Sequence, residues 1–277
     1  MAFIKSIQAN GDEVSIYYED LGTGKNVIFI HGWPLSGAMW EYQVTQLPQQ
    51  GLRCITYDRR GFGRSTHPWS GYDYNTLADD LAAVIEQTGA TDATLVGFSM
   101  GGGEVARYLS RHSGKSVSKA VLVSSIVPYM LKTEDNPEGT EQSVFNEMAI
   151  NMKEDRAAFF ADFFKTFYGV NMLSHPASQE VLEWSRSVGM QANLKATLDC
   201  AKAFSSTDFR PDLGAFKVPT LIIHGSEDKT VPIDPAGRAA ASGIVNAELI
   251  EYENAPHGLL VTEKQRFSRD LLAFLRD

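Results

Sequence analysis

Short runs of apolar, mostly β-branched residues recur along the chain, separated by longer stretches in which apolar positions follow a helical period. The strand-type runs lie at 15–18, 27–31, 53–57, 93–97, 119–123, 220–224 and 247–252. The helical patterns include 75–88, 101–112 and 263–276. Strand followed by helix, repeated along a chain, is typical of a mostly parallel sheet that is covered by helices on both faces. We therefore expect the α/β class.

The alternation lapses in one long stretch, between residues 128 and 211. Aromatic and methionine side chains recur there at roughly helical spacing, namely Phe145, Met148, Met152, Phe159, Phe160, Phe163, Phe164 and Phe167. A helix with an apolar stripe packs that stripe against a core. We expect a helical cap insertion at 128–211 that interrupts a core domain, whose first part is 1–127 and whose second part is 212–277.

Composition and charge exclude several classes of protein. The chain has 277 residues, of which 43% are hydrophobic, enough for the core of one α/β domain with an insertion. Its formal charge of −9 offers no basic surface for phosphates, so nucleic acid is not an expected partner. The first residues lack the apolar region of a secretory signal, and no stretch approaches the ~18 apolar residues of a membrane span. We therefore expect no membrane association and a cytoplasmic location.

The two cysteines do not form a recognisable motif. Cys54 lies in a strand-type run and Cys200 in a helical pattern, without the C-x-x-C spacing of redox or metal sites. We expect two reduced, buried thiols and no metal site; a disulfide or a metal ligand is the alternative.

One glycine-rich loop resembles a phosphate loop only superficially. Gly22-Thr23-Gly24-Lys25 lacks the full G-x-x-x-x-G-K-[ST] spacing and precedes a strand-type run instead of a helix. We therefore expect a hairpin turn at this position and no phosphate site.

The strongest chemical signal is Gly97-Phe98-Ser99-Met100-Gly101, a G-x-S-x-G turn between an apolar run and a helical pattern. In such a turn the serine sits at a strained corner with its hydroxyl exposed, and the two glycines leave room for crossing backbone. Ser99 is therefore a candidate nucleophile. Because a serine hydroxyl is a weak nucleophile at neutral pH, this interpretation requires a histidine base and a carboxylate that orients it.

Both partners occur further along the chain. Of the six histidines, His257 lies in a short loop after the strand-type run 247–252. Asp228 lies in the loop after the apolar run 220–224. The order Ser99, Asp228, His257 is the order of serine, acid and histidine in α/β-hydrolases.

Two backbone N–H groups are placed to bind the oxyanion of a tetrahedral intermediate. Trp33 follows the strand-type run 27–31 by two residues, and Met100 directly follows Ser99. Backbone donors at these positions form the oxyanion hole where a serine nucleophile sits on such a turn. The alternative is that His31-Gly32-Trp33-Pro34 is only a turn.

These residues, together with several longer runs, resemble the α/β-hydrolase family, and within it the branch of cofactor-free haloperoxidases, perhydrolases and aryl esterases. The runs that carry the resemblance are His31-Gly32-Trp33-Pro34, 57–65, 97–108, 207–212, 224–228 and Ala255-Pro256-His257-Gly258. The resemblance covers essentially the whole chain. It implies the α/β-hydrolase fold, a mostly parallel twisted sheet with helices on both faces and a helical cap insertion.

The same resemblance implies a substrate pocket beside Ser99. Its lining would be Trp33, Pro34, Met100, Phe159, Phe163, Phe204 and Thr230. For Phe159 and Phe163 the alternative is ordinary packing of a helix on the core. Such an apolar, small pocket favours small acyl groups and uncharged or aromatic leaving groups.

We therefore expect a serine hydrolase that acts on small carboxylic esters, including aryl esters, through an acyl-enzyme. The resemblance adds perhydrolase and cofactor-free haloperoxidase activity, in which hydrogen peroxide takes the place of water, and it implies no cofactor.

Other activities fit the same three residues, namely those of a lactonase, a γ-lactamase and a C–C bond hydrolase. A non-enzymatic alternative is a ligand receptor that retains the triad. Dehalogenase and epoxide hydrolase chemistry on this fold needs a carboxylate at position 99, so the sequence argues against both. The relatives implied by the resemblance often assemble, so a homo-oligomer is compatible with the sequence.

Overall fold

The computed structural model describes residues 2–7, 11 and 13–276. One sheet contains eight strands: β1 (Ala2–Ile7), β2 (Glu13–Gly22), β3 (Lys25–Ile30), β4 (Leu52–Tyr57), β5 (Ala93–Phe98), β6 (Val117–Val123), β7 (Thr220–Gly225) and β8 (Ala247–Tyr252). The helices are α1 (Glu41–Val44), α2 (Tyr74–Thr88), α3 (Met100–Arg111), α4 (Gln142–Phe167), α5 (Gln179–Met190), α6 (Leu194–Ser206), α7 (Ala239–Gly243), α8 (Leu259–Thr262) and α9 (Lys264–Arg276).

The strands lie in the order β1-β2-β4-β3-β5-β6-β7-β8. The pairs β1–β2 and β2–β4 are antiparallel, and the neighbours from β4 to β8 are parallel. All residues of β5 and β7 are buried, so both faces of the sheet are covered at its centre. This confirms the predicted parallel sheet, and it brings the loops after β3, β5, β7 and β8 to one edge.

Two details of the sheet differ from the sequence-based expectations. Strand β1 was not expected, because only Ile4 and Ser6 point inward and the alternation is short. The hairpin predicted at 22–25 is wrong: β2 and β3 are joined by this turn but are not neighbours, since β4 lies between them. The turn instead packs on the chain entering β4, where Lys25 N–H donates to the carbonyl oxygen of Gly51 at 3.2 Å.

Three helices, α4 to α6, lie between β6 and β7 in the chain. Helix α4 packs against both α5 and α6. It is interrupted at Asp155 (φ −151°, ψ 89°), whose carboxylate accepts a hydrogen bond from Ala158 N–H at 2.9 Å and so begins the helix anew. The cap boundaries at 127/128 and 211/212 stay a prediction.

No helix within the described part of the chain has both the length and the apolar character that a membrane span requires.

The two cysteines are unpaired and buried, as the sequence predicts. Burial raises the pKa of Cys54 and of Cys200 to about 12, because the thiolate loses its hydration.

We expect neither thiol to react with a disulfide reagent at mildly alkaline pH in the native protein, and both to react in concentrated guanidinium chloride. Titration with a chromogenic disulfide measures this, and rapid reaction of one native thiol would contradict it.

Candidate active site

Ser99 occupies a sharp corner between β5 and α3. Its backbone has φ 53° and ψ −117°, a left-handed conformation that a non-glycine residue rarely adopts. A Cβ atom on Gly97 would lie 2.6 Å from the carbonyl oxygen of Gly101, and one on Gly101 would lie 2.5 Å from that of Ile30. The two glycines of the G-x-S-x-G motif are therefore required by close backbone contacts, as the sequence predicts.

His257 lies in the loop after β8, and its ring packs against two phenylalanine rings that also contact each other. The ring centroids of Phe98 and Phe167 are 4.9 Å and 4.8 Å from that of the imidazole. Ser124 Oγ donates to the carbonyl oxygen of His257 at 3.1 Å, and Gly258 N–H donates to the carbonyl oxygen of Phe167 at 2.8 Å. The two ring contacts and the two backbone hydrogen bonds therefore restrict the orientation of the imidazole.

Ser99, His257 and Asp228 form one hydrogen-bonded line. His257 Nε2 lies 3.0 Å from Ser99 Oγ, and Nδ1 lies 2.6 Å from Asp228 Oδ2. The side chains of Asp228 and His257 are almost completely buried, and Ser99 is 6% exposed. This is the arrangement in which an imidazole can remove the proton of a serine hydroxyl while a carboxylate fixes its tautomer.

Asp228 is ionised although its carboxylate is buried, which disfavours the charged form. Burial alone would raise its pKa, but the charge of His257 and hydrogen bonds from two histidine side chains outweigh that effect and lower the pKa to about 2. Two backbone donors stabilise the other carboxylate oxygen: the N–H groups of Thr230 and Val231 donate to Asp228 Oδ1 at 2.9 Å and 2.7 Å. The carboxylate is thus charged across the neutral pH range.

The free energy of unfolding is expected to depend on this carboxylate between about pH 4 and pH 2. Because the pKa is lower in the folded protein than in the unfolded chain, ionised Asp228 stabilises the fold above roughly pH 4, and this stabilisation is lost as the pH falls to about 2. The loss amounts to roughly 2 kcal/mol. Denaturant unfolding of the wild type and of Asp228→Asn at several pH values measures it; equal acid slopes in both proteins would contradict the assignment.

The two candidate oxyanion donors flank Ser99 without competing acceptors. Within the described residues, the backbone N–H groups of Trp33 and Met100 donate to no other group. Tyr74 Oη donates to the carbonyl oxygen of Met100 at 3.1 Å, which supports the first turn of α3. Neither N–H group is therefore engaged by the protein itself, and their role as oxyanion donors stays a prediction.

A buried ion pair holds the loop that carries Trp33 against the helix after Ser99. Arg59 pairs with Glu104 on α3 and also donates from Nη2 to the carbonyl oxygen of His31 at 2.6 Å. Arg59 N–H donates to His31 Nε2 at 2.9 Å, so the other ring nitrogen of His31 donates to Gly32 O, at the same distance. Burial and the Arg59 charge hold the pKa of His31 well below its usual range, so His31 is a neutral structural link.

A cavity of about 620 Å³ opens above Ser99 and is mostly apolar. Of the residues predicted to line it, five do so: Trp33, Phe159, Phe163, Phe204 and Thr230. Pro34 and Met100 are not among its lining residues. Pro34 is buried, with Cγ 3.2 Å from where a Cβ atom on Gly189 of α5 would lie, and Met100 is fully buried. Whether these two side chains influence the substrate stays a prediction.

Trp33 links this cavity to the helices above it. Its Nε1–H donates to the carbonyl oxygen of Thr197 on α6 at 3.0 Å. Four phenylalanine rings surround its indole with centroids at 5.3 to 6.3 Å, those of Phe159, Phe160, Phe163 and Phe204. These edge contacts fix the indole as one wall of the cavity.

Comparison with known proteins shows which family has this combination of fold and site. The family model described as alpha/beta hydrolase fold matches residues 25–264. The chain belongs to this family. The predicted α/β-hydrolase fold is thereby confirmed.

Individual relatives of this α/β-hydrolase cover all or nearly all of its length. A putative non-heme chloroperoxidase of Synechocystis sp. is 44% identical over 277 residues, with 100% of both chains covered. A bifunctional esterase/perhydrolase of Acinetobacter calcoaceticus is 42% identical over 96% of this chain and 97% of that protein. The crystal structure of bromoperoxidase from Bacillus anthracis is 44% identical, with 100% of both chains covered and a TM-score of 0.95. The resemblance inferred from the sequence is confirmed.

The sequence analysis missed part of the cavity wall of this α/β-hydrolase. Apolar contributions also come from Ile126, Met130, Val144, Met148, Val231 and Pro232. Met148 belongs to the apolar stripe noted in the sequence, but the stripe alone does not tell which member faces the cavity.

Within residues 2–7, 11 and 13–276, no three His, Cys, Asp or Glu side chains are grouped to hold a metal ion.

Proposed function

We propose that this chain is a serine hydrolase of small carboxylic esters, aryl esters included, that works through an acyl-enzyme on Ser99. We also propose that hydrogen peroxide can replace water in the second half-reaction. The hydrogen-bonded line from Asp228 through His257 to Ser99 at the floor of an apolar cavity carries this proposal. The names of the chloroperoxidase and esterase/perhydrolase relatives support it.

In the first half-reaction Ser99 Oγ attacks the acyl carbon of the ester while His257 Nε2 takes its proton. Asp228 stabilises the imidazolium that forms, and the N–H groups of Trp33 and Met100 donate to the oxyanion. His257 then gives the proton to the leaving alkoxide or phenoxide. The acyl group stays on Ser99.

In the second half-reaction water attacks the acyl carbon, His257 again moves the proton, and a carboxylic acid leaves Ser99. When hydrogen peroxide attacks instead, the same step releases a peracid. The peracid oxidises a halide in solution to hypohalite and becomes the carboxylate. The haloperoxidase reaction thus follows from the same residues that hydrolyse the ester.

We propose that residues 128–211 act as the cap of the site and set its size. Most of the lining comes from α4, including Phe159 and Phe163, and α6 contributes Phe204. A cavity lined by these apolar rings accommodates a small acyl group and a flat leaving group.

The cytoplasmic location and the homo-oligomer compatible with the sequence stay predictions.

The charges around the cavity are expected to disfavour anionic esters. The lining includes four carboxylates and one ammonium group, those of Glu147, Glu154, Asp155, Asp162 and Lys229. Asp162 is paired with Lys165 at 2.8 Å. We expect kcat/KM for 4-acetoxybenzoate to be roughly two- to fivefold below that for 4-acetoxybenzamide, its uncharged counterpart, after correction for their alkaline hydrolysis rates. Added salt should narrow the gap.

The double variant Glu147→Gln, Glu154→Gln should reduce this discrimination, whereas Glu180→Gln, an exposed change on α5 outside the cavity, should leave it unaltered. Equal kcat/KM for the two esters, or a preference for the anion, would show that these carboxylates do not act on the substrate.

A panel of esters with varied acyl length and leaving group, assayed with and without hydrogen peroxide, tests the proposed function. We expect turnover of short aryl esters, and peracid formation when peroxide is present. Turnover of lactones, lactams or β-diketones well above that of all esters would favour one of the other hydrolase activities. Binding of these compounds without turnover would favour a receptor.

A further inference from the structure

A second histidine, His224, lies against the carboxylate of Asp228 at the end of β7. Its Nε2 lies 2.8 Å from the carbonyl oxygen of Val231 and 3.3 Å from Asp228 Oδ2. The side chain is fully buried, and its Nδ1 has no hydrogen-bond partner in the described part of the chain. A Cβ atom on Gly237 would lie only 2.8 Å from Nδ1, so the ring is packed tightly on that side.

These contacts define which nitrogen of His224 carries the proton. Nε2 faces two acceptors, a carbonyl oxygen and a carboxylate oxygen, and so it must donate. A proton on Nδ1 would be a buried donor without an acceptor, which is costly. His224 is therefore a neutral imidazole whose Nε2–H is shared between the Val231 carbonyl and Asp228.

The contact completes the hydrogen bonding of the Asp228 carboxylate. Oδ1 accepts the N–H groups of Thr230 and Val231, Oδ2 accepts from His257, and His224 Nε2 makes a second, longer contact of 3.3 Å to Oδ2. Each oxygen thus faces two nitrogen groups, as many as its lone pairs can accept from. Without His224, Oδ2 would have His257 alone, and the carbonyl of Val231 would lose its link to β7.

We propose that His224 is a positioning residue for the triad carboxylate. By donating to Asp228 Oδ2 it fixes the carboxylate in the plane of the His257 ring and reduces the negative charge that His257 experiences. The proposal rests on the proposed function, because it assigns His224 a role in the same proton transfer.

The charged groups around His224 do not supply an alternative donor to Asp228. Glu251 lies opposite His224 in the β7–β8 register, and its carboxylate is paired with Arg238 at 2.6 Å. Arg238, in the segment that packs Gly237 on the ring, is also paired with Asp234 at 2.7 Å. Arg238, the cation among these neighbours, is thus engaged by Glu251 and Asp234 and not by Asp228.

Two substitutions separate positioning from packing. His224→Leu removes the donor, and we expect kcat for an aryl ester to fall about tenfold with little change in KM. Because Asp228 then presents more negative charge to His257, the rising limb of the kcat/KM profile should move to higher pH. His224→Gln places an amide N–H where Nε2–H lies, and it should restore both the rate and the profile.

Ile222→Val is the matched control for packing, since Ile222 is fully buried on the same strand and its side chain cannot donate a hydrogen bond to Asp228. It should lower the thermal midpoint without altering kcat or the pH profile. If His224→Leu does not fold, His224→Asn replaces it, because the shorter amide cannot reach both acceptors and should be equally impaired.

Unchanged kcat and pH profile in His224→Leu, or a His224→Gln variant as impaired as His224→Leu, would overturn the positioning role. Failure of the proposed function has a different signature: the wild type would not turn over esters, or Ser99→Ala would retain its activity. The two failures are therefore distinguishable in one set of assays.

Discussion

Replacing Ser99 by alanine is expected to lower kcat for ester hydrolysis by about 10⁶, the effect of removing a triad nucleophile where it has been measured. The reason is geometric: among residues 2–7, 11 and 13–276, Ser99 carries the one hydroxyl that is hydrogen-bonded to the His257 ring, at 3.0 Å from Nε2. The fold should be retained, because the Ser99 side chain does not cap helix α3. Steady-state kinetics on a short aryl ester measures the loss.

Covalent labelling checks the same assignment independently of turnover. A fluorophosphonate should add one mass increment to the intact wild type, and peptide mapping should place it on Ser99. Ser110→Ala is a suitable control, because Ser110 lies on the same helix but contacts Asp212. An adduct on another serine, or residual turnover above a few per cent in Ser99→Ala, would disprove the role of Ser99.

Asp228→Asn is expected to lower kcat by about 10⁴ while leaving the fold intact. In the wild type the N–H groups of Thr230 and Val231 both donate to Oδ1, so in the variant the amide oxygen will occupy that place. The amide NH₂ group then faces His257 Nδ1, which must become an acceptor. The proton moves to Nε2, and the imidazole can no longer accept the proton of Ser99.

Steady-state kinetics of Asp228→Asn should show that the variant binds substrate normally but holds His257 in the unproductive tautomer. We expect kcat to fall with KM nearly unchanged, and fluorophosphonate labelling to slow in proportion. Asp234→Asn serves as a matched control, since Asp234 is in the same region but is paired with Arg238 at the surface. A fall in kcat of less than about tenfold in Asp228→Asn would mean that Asp228 does not orient His257.

The sequence predicted the three aligned residues because each depends on local signals. Ser99 and Asp228 follow buried strands and His257 follows the edge strand β8, and parallel strands bring the loops at their carboxyl ends to one edge. The glycines around Ser99 are explained by contacts within the turn itself and with one neighbouring strand. Chain order and local turn chemistry are therefore sufficient to locate the triad.

The cavity wall could be predicted only in part, because helical period gives the faces of a helix but not their surroundings. Phe159 and Phe163 line the cavity, whereas Phe160 and Phe164 on the same helix are buried beneath it. Pro34 is adjacent in sequence to Trp33, yet its ring packs towards α5. Such orientations depend on tertiary contacts that are remote in sequence.

The order of the strands and the conformation of one loop explain the remaining differences. The turn at 22–25 has the composition of a hairpin, but β4 inserts between the strands that it joins. His224 is an ordinary member of a buried strand in the sequence, and its contact with Asp228 appears only when the loop after β7 folds back on it. Neither feature has a signature in the local pattern.

The interruption of helix α4 at Asp155 divides the cavity wall into two parts that tolerate change differently. Before it, only Met152 is buried; after it, the helix buries three phenylalanines and ends at Phe167, which holds the loop of His257. Substitutions confined to residues 142–154 would therefore change the cavity wall while the imidazole of His257 keeps its position. Substitutions after Asp155 would change the substrate range but would also displace the imidazole of His257. New specificities should therefore arise first from substitutions in the part of the helix before Asp155.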